Sequence, residues 1–234
     1  MSRSGISPAP PDPPEATRPA PPRLVLVRHA QSTWNGLGKI QGQLDPPLSE
    51  RGREQAQRVA QRLAGLRWSG FYSSDLARAA ETAAYIAKGL ESEAVAVREL
   101  REIYLGEWEG LTRADLEERY PDLWARWLAD PSWDLPPGGE GARNFEARVA
   151  TTLQQILDQH PEGDVLVVTH GGVIQVALGH VVGRRSAGIF PFRIENASIT
   201  TLEHGRRRQI ISAVNDVCHL EEPAGVARRD ARAL

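Results

Sequence analysis

The sequence has little cysteine and almost no net charge, and each of these shortages excludes a class of protein. One cysteine, Cys218, occurs among 234 residues, so a framework of disulfide bonds within the chain is excluded and a reducing, cytoplasmic setting is expected. The 28 basic and 30 acidic side chains give a formal net charge of −2. A chain so nearly neutral lacks the electrostatic pattern of a protein that binds nucleic acid or an anionic membrane.

Long hydrophobic runs are also missing. The longest apolar stretch, residues 173–182, is interrupted by Gln175 and His180, whereas a membrane-spanning helix needs about 20 apolar residues. The N-terminus contains no apolar segment typical of a signal peptide. We therefore expect a soluble protein without a membrane partner. A length of 234 residues with 41% hydrophobic content predicts one domain with a sizeable buried core.

Proline is concentrated at the N-terminus. Eight of the 17 prolines fall within residues 8–22, and few large apolar side chains accompany them. Residues 1–22 are therefore predicted to form a disordered, Pro-rich tail, more typical of a solubilising extension than of a ligand for a proline-recognising partner. Residues 221–234 are predicted to form a flexible C-terminal tail. The domain is expected over residues 23–220.

Strand and helix patterns alternate between these tails. The predicted strands cover residues 24–27, 70–73, 95–97, 165–168, 198–202 and 209–214. Predicted helices begin at Ser49, after Asp75 and at the capping box formed by Thr112 and Asp115; another covers residues 171–178, and a longer one ends near His160. This order predicts a three-layer α/β/α sandwich with a mostly parallel central sheet.

Two strongly predicted strands end in a histidine. Residues 24–27 run into Arg28 and His29, and residues 165–168 run into Thr169, His170 and two glycines. Chemistry in an open α/β sheet collects at the carboxyl ends of its strands, and a helix that starts after glycines offers free N–H groups to an anion. A single histidine at such a place is more often structural. Two at matching strand ends, one of them beside an arginine, indicate a site that binds and attacks an anion.

Arg78 and Glu102 extend this constellation. Arg78 lies near the start of the helix that follows the strand at residues 70–73, so its guanidinium is expected at the same edge of the sheet. Glu102 is one of three acids, with Glu107 and Glu109, in a segment without helical or strand periodicity. Spacing alone does not decide which of the three would be catalytic.

Four motifs in this order resemble those of the histidine phosphatase superfamily, also called phosphoglycerate-mutase-like. They are the Arg-His pair after the first strand, Arg78 in its Ser-Ser-Asp-Leu context, Leu-Arg-Glu followed by Gly-x-Trp-Glu-Gly, and Thr-His-Gly-Gly. The resemblance covers about residues 23–220, and residues 196–200 and 215–219 also resemble the family. The common Arg-His-Gly-Glu stands here as Arg-His-Ala-Gln, in which Ala30 still permits close packing behind the histidine.

The resemblance implies a role for each residue. His29 would be the nucleophile that attacks phosphorus, while its other ring nitrogen donates to a backbone carbonyl. The side chains that would hold the phosphoryl oxygens are Arg28, Arg78, His170 and Asn35. Glu102, which matches the Leu-x-Glu position of the family, would protonate the leaving oxygen and then take a proton from the attacking water.

No cofactor and no metal ion are expected in this pocket. Two histidines and a glutamate are also zinc ligands, but two arginines converge on the same place and would repel a cation. The spacing matches no compact metal motif. We therefore predict a metal-independent phosphomonoesterase that acts on a small phosphorylated metabolite, through a phosphohistidine on His29.

Two alternatives are kept beside this prediction. The first is a cofactor-dependent phosphoglycerate mutase. Such mutases have a segment similar to Asn-Glu-Arg-His-Tyr-Gly around the acid, whereas residues 101–106 here are Arg-Glu-Ile-Tyr-Leu-Gly. Apolar residues at the positions of the mutase Arg and His favour a phosphatase. A pseudophosphatase that only binds a phospho-ligand would predict the loss of His29, Arg78, His170 or Glu102, and all four are present.

A variable cap is expected at about residues 108–139. Trp124, Trp127 and Trp133 would either wall the substrate entrance or, the favoured interpretation, pack within the cap. The histidines outside the motifs, namely His160, His180, His204 and His219, are expected to be structural or exposed. Homodimers are common for such a fold, but no interface is specified. Phosphoglycerates, sugar phosphates, phosphoserine and α-ribazole phosphate are all compatible substrates.

Overall fold

A computed structural model describes residues 21–184, 192–205 and 209–221. The predicted Pro-rich tail lies outside the described residues except for Pro21 and Pro22, and the predicted C-terminal tail does so except for Glu221. The strands are β1 (Arg23–Arg28), β2 (Gly70–Ser73), β3 (Val95–Ala96), β4 (Val165–Thr169), β5 (Ile199–His204) and β6 (Gln209–Asp216). The α-helices are α1 (Glu50–Leu63), α2 (Ala77–Leu90), α3 (Arg113–Arg119), α4 (Pro121–Ala129), α5 (Gly141–Gln159) and α6 (Gly171–Val182).

The strands form one sheet in the order β3-β2-β4-β1-β5-β6. The β1–β4, β2–β4 and β2–β3 pairs are parallel, and β5 runs antiparallel to both of its neighbours. The prediction of a mostly parallel sheet is therefore confirmed. The register pairs Arg28 with Thr169, so the next residues, His29 and His170, leave neighbouring strands side by side.

Side chains alternate between the two faces of the sheet, as the strand geometry requires. Val25 and Val27 pack with apolar residues of α1 and α2, whereas Leu24 and Leu26 pack with those of α5 and α6. All five residues of β4 are buried, because helices cover the central strands on both faces. These contacts confirm the predicted three-layer sandwich.

The helix starts follow local capping chemistry. The Ser49 hydroxyl accepts a hydrogen bond from the Gly52 amide at 3.0 Å, and Thr112 and Asp115 form the predicted capping box at the start of α3. Two expectations differ from the structure. The third strand is shorter than predicted, at Val95–Ala96, and α6 continues beyond residue 178 to Val182.

Helix α4 was absent from the predicted elements. It begins at a proline, which is favourable at the first helical position, but no side chain caps it. None of its residues is fully buried, and its apolar side chains Leu123, Trp124 and Trp127 only partly cover the core.

The tryptophans of the predicted cap pack against one another. The Trp127 ring lies 5.5 Å from that of Trp108 and 5.1 Å from that of Trp133, measured between ring centroids. Trp108 and Trp133 are buried, and Trp124 meets Trp108 at 6.3 Å. These contacts favour packing as the role of the cluster. Among the described residues, no helix combines the length and the apolar character needed to cross a bilayer.

Candidate active site

His29 and His170 lie together where β1 and β4 end. The His29 amide continues the ladder by donating to the Thr169 carbonyl at 2.8 Å. The two ring centroids are 5.2 Å apart and the ring planes are inclined by 58°. Both side chains are buried. The matching strand ends that the sequence indicated thus form one crevice.

The tautomer of His29 follows from its hydrogen bond. Nδ1 lies 2.7 Å from the Ala30 carbonyl oxygen, and because a carbonyl only accepts, Nδ1 carries the hydrogen. The lone pair is then on Nε2, which is the arrangement a nucleophile requires. Burial, followed by the charges of Arg78 and Arg28, holds the pKa of His29 well below its usual range. The imidazole is therefore neutral and nucleophilic at neutral pH.

His170 is oriented by Ser74, a residue that the sequence did not single out. Its Nε2 lies 2.8 Å from the Ser74 hydroxyl, which also accepts from the Leu76 amide at 3.3 Å. When Ser74 donates to Nε2, the ring hydrogen resides on Nδ1, and Nδ1 is buried without a hydrogen-bond partner among the described residues. Burial and the charge of Arg78 lower the pKa of His170 well below its usual range.

Arg78 enters the same crevice from the first turn of α2 and is almost completely buried. Its Nη1 donates to the Leu44 carbonyl at 2.8 Å and its Nη2 to the Gly42 carbonyl at 2.7 Å. Burial lowers the pKa of Arg78 to about 10, so the guanidinium stays charged at neutral pH. Its Nε is buried and has no partner among residues 21–184, 192–205 and 209–221.

The loop that holds Arg78 is itself held by Glu109. The Gln43 amide donates to Glu109 Oε1 at 2.8 Å, and the Leu105 amide donates to the same oxygen at 3.0 Å. Gly42 has φ = 52°, and a Cβ there would lie 1.9 Å from that oxygen. A residue without a side chain is therefore required at position 42. Burial raises the pKa of Glu109.

Arg28 is the second arginine next to His29. Its Nη1 donates to the Ile194 carbonyl at 2.5 Å, while its Nε is buried and unpartnered within the described part of the chain. Burial lowers the pKa of Arg28, and the carboxylates of Glu102 and Glu195 act against this shift. The Nε atoms of Arg28 and Arg78 and the Nδ1 of His170 are thus three buried groups that lack acceptors, which is what an anion site provides before its ligand binds.

Glu102 is the acid that completes this crevice. Its Oε1 accepts from the Ile103 amide at 3.0 Å and its Oε2 from the Gly172 amide at 3.1 Å. A Cβ on Gly172 would lie 2.1 Å from Oε1, so the second glycine of the Thr-His-Gly-Gly motif makes room for this carboxylate. The charge of Glu102 partly opposes the lowering of the pKa of Arg28 and Arg78 that burial causes.

The other two acids have different contacts. Glu107 is exposed and accepts from the Tyr120 hydroxyl at 2.7 Å, and Glu109 binds backbone amides as described above. Glu102 is thus the acid whose carboxylate contacts the Gly172 amide, at the start of the helix that follows His170; its catalytic role stays a prediction.

Asn35 is connected to His29 through a single intervening residue, Asn196. Its Oδ1 accepts from the Ser32 amide at 2.9 Å and from Asn196 Nδ2 at 3.3 Å. Asn196 Nδ2 also lies 3.1 Å from the His29 carbonyl oxygen. Asn35 is thus brought to the crevice, and a direct contact with a phosphoryl group stays a prediction.

The segments at residues 196–200 and 215–219 support the site from behind. The Ala197 amide donates to the carbonyls of Arg28 and His29 at 3.0 and 3.2 Å, and Ala197 adopts φ = 58°. His219 Nε2 lies 2.9 Å from the Ala197 carbonyl oxygen, and the Glu195 amide donates to Asn215 Oδ1 at 2.6 Å. Their resemblance to the family was the signal in the sequence, but it did not indicate what they contact.

The remaining histidines lie outside the crevice. His160 Nε2 is 2.8 Å from the Tyr72 hydroxyl, His204 Nδ1 is 3.0 Å from Gln209 Nε2, and His180 is exposed. Across residues 21–184, 192–205 and 209–221, no group of three or more histidine, cysteine, aspartate or glutamate side chains could hold a metal ion.

Comparison with known proteins gives one consistent result. The model of the histidine phosphatase superfamily (branch 1) matches residues 24–217. A metal-independent phosphoserine phosphatase from Arabidopsis thaliana is 36% identical over 200 residues, 84% of this chain and 82% of that protein. Phosphoglycerate mutase-like protein 4 from the same plant is 38% identical over 203 residues, 85% of this chain and 87% of that protein.

A solved structure agrees with these sequence relatives. A phosphoserine phosphatase mutant from Entamoeba histolytica, in complex with phosphoserine, superposes with a TM-score of 0.75 at 28% identity, over 85% of this chain and 99% of that one. This chain belongs to the histidine phosphatase superfamily, branch 1. Within it, the protein is a phosphomonoester hydrolase.

Proposed function

We propose that this hydrolase acts through a phosphohistidine on His29 and requires no metal ion. Nε2 of His29 attacks phosphorus, the bond from phosphorus to the ester oxygen breaks, and Glu102, in its protonated form, gives that oxygen a proton and becomes a carboxylate. Water then attacks the phosphohistidine and loses a proton to Glu102. The products are inorganic phosphate, the alcohol and free His29.

One observation carries this proposal. Three buried nitrogen atoms without acceptors, on Arg28, Arg78 and His170, surround a histidine whose Nε2 lone pair is free. Their hydrogen bonds would compensate the negative charge of the three peripheral phosphoryl oxygens in the transition state. Because the two guanidiniums supply this positive charge, a metal ion has no further charge to neutralise.

The proposed substrate class is a small phosphorylated metabolite, with phosphoserine the first candidate. Support comes from the two phosphoserine phosphatases reported above, one of them described as metal-independent. The lone Cys218 fits a reducing, cytoplasmic setting. Asn35 would add a hydrogen bond to the phosphoryl group.

Phosphoglycerate mutase activity is the second candidate, because a mutase-like relative is 38% identical. A mutase must retain a bisphosphorylated intermediate, which calls for cationic side chains around the acid. Ile103 and Leu105 follow Glu102 here, and both are buried and apolar. This favours transfer of the phosphoryl group to water.

The test is phosphate release from a panel of phosphorylated metabolites, with and without chelator, by the wild-type protein and by His29→Ala. We expect release to persist in chelator and to vanish in the variant, and phosphoserine to have the highest kcat/KM. Equal activity of the two proteins would disprove the covalent route. Loss of activity in chelator would disprove metal independence. Isomerisation of 3-phosphoglycerate faster than its hydrolysis would establish the mutase.

A further inference from the structure

Arg148, on helix α5, donates hydrogen bonds from all five of its N–H groups, to Glu140 and to the backbone of residues 99–102. Nη1 donates to the carbonyls of Glu99 and Arg101 at 2.7 and 2.8 Å. Nη2 donates to the carbonyl of Glu102 at 2.9 Å and to Glu140 Oε1 at 2.6 Å, and Nε donates to Glu140 Oε2 at 3.0 Å. An arginine has five such donors, so none is left over.

Glu140 holds the chain on the other side of the proposed acid. Its Oε1 accepts from the Tyr104 amide at 2.7 Å, and its own amide donates to the Tyr104 carbonyl at 3.0 Å. The backbone is therefore fixed at residues 99, 101 and 102 by Arg148 and at residue 104 by Glu140. Between them, the Ile103 amide binds the Glu102 carboxylate.

Residues 101–105 need hydrogen-bond partners from elsewhere in the chain because they form no helix or strand. A single 3-10 turn, Arg98–Leu100, precedes them. Backbone groups there cannot be satisfied by a ladder, so side chains must satisfy them. The pair that does so is mostly buried, with side-chain exposures of 21% for Arg148 and 17% for Glu140.

We call the Arg148–Glu140 pair the clamp. Phe145 lies between the clamp and the Glu102 carboxylate. The Arg148 guanidinium stacks 4.9 Å from the centre of the Phe145 ring. The tip of the same ring lies 3.1 Å from where a Cβ of Gly172 would be, beside Glu102 Oε1. The clamp thus sets both the backbone of Glu102 and one wall of the space around its carboxylate.

We propose that Arg148 and Glu140 are positioning residues that hold Glu102 in place for proton transfer to the leaving oxygen. This inference rests on the proposed role of Glu102 as the proton donor. The phosphoryl-binding side chains come from the end of β1, α2 and the start of α6, and none of the hydrogen bonds of the Arg148 and Glu140 side chains described above goes to these elements. Loosening the clamp should therefore impair protonation of the leaving group and leave capture of the phosphoryl group intact.

The leaving group provides the readout. The leaving oxygen of an alkyl phosphate such as phosphoserine needs a proton as its bond to phosphorus breaks. The leaving group of 2,4-dinitrophenyl phosphate is a stable anion and needs no proton. We compare kcat/KM for both substrates in the wild type, Glu102→Gln, Arg148→Lys, Arg148→Met and Glu140→Gln. The ratio of the two values in one preparation does not depend on how much of the protein is folded.

Arg23→Met is the matched control. Arg23 also pairs with a carboxylate through its Nε, at 2.9 Å from Asp164, but at the opposite end of β1 from His29. We expect its ratio to equal that of the wild type.

The expected result is a selective loss. Glu102→Gln should lower kcat/KM for the alkyl phosphate by about 10²–10⁴-fold, the usual contribution of a general acid. Both Arg148 variants should lower it by about 10–100-fold, as a misplacement of about 1 Å does, with the aryl phosphate nearly unaffected. Arg148→Lys keeps the charge but cannot reach all five acceptor atoms, so it separates positioning from the effect of the Arg148 charge on His170.

Each of the other outcomes would contradict one part of this proposal. Equal losses for both substrates in the Arg148 variants would make the clamp merely structural. If Arg148→Lys had the same ratio of kcat/KM for the two substrates as the wild type, the charge of Arg148 and not its hydrogen bonds would account for its effect. If Glu102→Gln itself shows no preference between leaving groups, the acid role of Glu102 fails, and the positioning role fails with it.

Discussion

The rings of His29 and His170 lie 5.2 Å apart, and neither imidazole makes an ion pair with a carboxylate in the described structure. Their position follows from the register that pairs Arg28 with Thr169. Their protonation follows from burial and from Arg78, which is the largest charge effect on both. The same burial that keeps both imidazoles neutral therefore makes the fold sensitive to acid.

Stability should fall as the pH drops below the ordinary histidine pKa. Unfolded histidine takes up a proton near pH 6.5, whereas His29 and His170 stay neutral in the folded state until a much lower pH. Between these limits the unfolded chain binds more protons, so each histidine lowers the free energy of unfolding by about 1.4 kcal/mol per pH unit. The loss begins at about pH 6.5 and ends at the folded-state pKa.

Urea denaturation from about pH 7.5 to about pH 5 measures this slope. In His29→Asn the slope below about pH 6 should be shallower than in the wild type by about 1.4 kcal/mol per pH unit. Parallel slopes for the two proteins would contradict the neutral state of buried His29.

Gly42→Ala should lower both stability and activity. The substitution strains a positive φ and drives a Cβ into Glu109, so the loop that holds Arg78 must move. Gly38→Ala is the matched control, because Gly38 has φ = 63° but no atom within 4 Å of its Cβ position. Gly38→Ala should cost about 1–2 kcal/mol in unfolding free energy and leave kcat/KM unchanged. Gly42→Ala should cost more and reduce kcat/KM. Identical behaviour of the two variants would mean that the contact with Glu109 has no effect.

Arg78→Lys should be strongly impaired in catalysis. The guanidinium holds the Gly42 and Leu44 carbonyls while its Nε is free for a ligand, and one ammonium group cannot make all these contacts. We expect kcat/KM to fall by about 10²–10³-fold, as when one preorganised donor is removed from an active site. Arg53→Lys, at an ion pair on α1, should retain full activity. Retention of wild-type kcat/KM by Arg78→Lys would contradict a hydrogen bond from Arg78 Nε to the phosphoryl group.

The cap tryptophans should contribute to stability according to their burial. Trp133→Ala, which removes a buried ring packed on Trp127, should lower the free energy of unfolding by about 3–5 kcal/mol. Trp124→Ala removes a partly exposed ring and should cost less. Urea denaturation and steady-state kinetics on both variants are the measurements. An increase in KM without a loss of stability in Trp133→Ala would instead assign this residue to the wall of the substrate entrance.

Much of the framework could be predicted because its signals are local. The apolar runs at β1 and β4, the Ser49 cap and the Thr112–Asp115 capping box depend on neighbouring residues, and all were found where expected. Helix α4 could not be predicted in this way, since it buries no residue and its start lacks a capping side chain. The length of β3 also depends on its partner, because a two-residue edge strand is defined only by pairing with β2.

The supporting residues of the site were beyond reach of the sequence for a related reason. Ser74 and His170 are 96 positions apart, and Arg148 and Glu102 are 46 apart. A serine, an arginine on a helix and a glutamate just before that helix look like ordinary surface residues in a sequence until the fold brings them to their partners. Glu102 itself could not be separated from Glu107 and Glu109 by spacing.

The sequence by itself determined the alternating α/β order and the presence of Arg28 and His29 at the end of a buried strand, since both follow from local periodicity and composition. It also contained the side chains that we propose bind and attack the phosphoryl group, namely those of Arg28, His29, Arg78, Glu102 and His170. Only the tertiary structure decided which of these groups meet: the register of β1 and β4 places His29 beside His170, and the contacts of Gly172 and Arg148 single out Glu102. The reason is physical, because contacts between distant segments depend on how sheet and helices pack together, and short-range patterns carry no record of that packing.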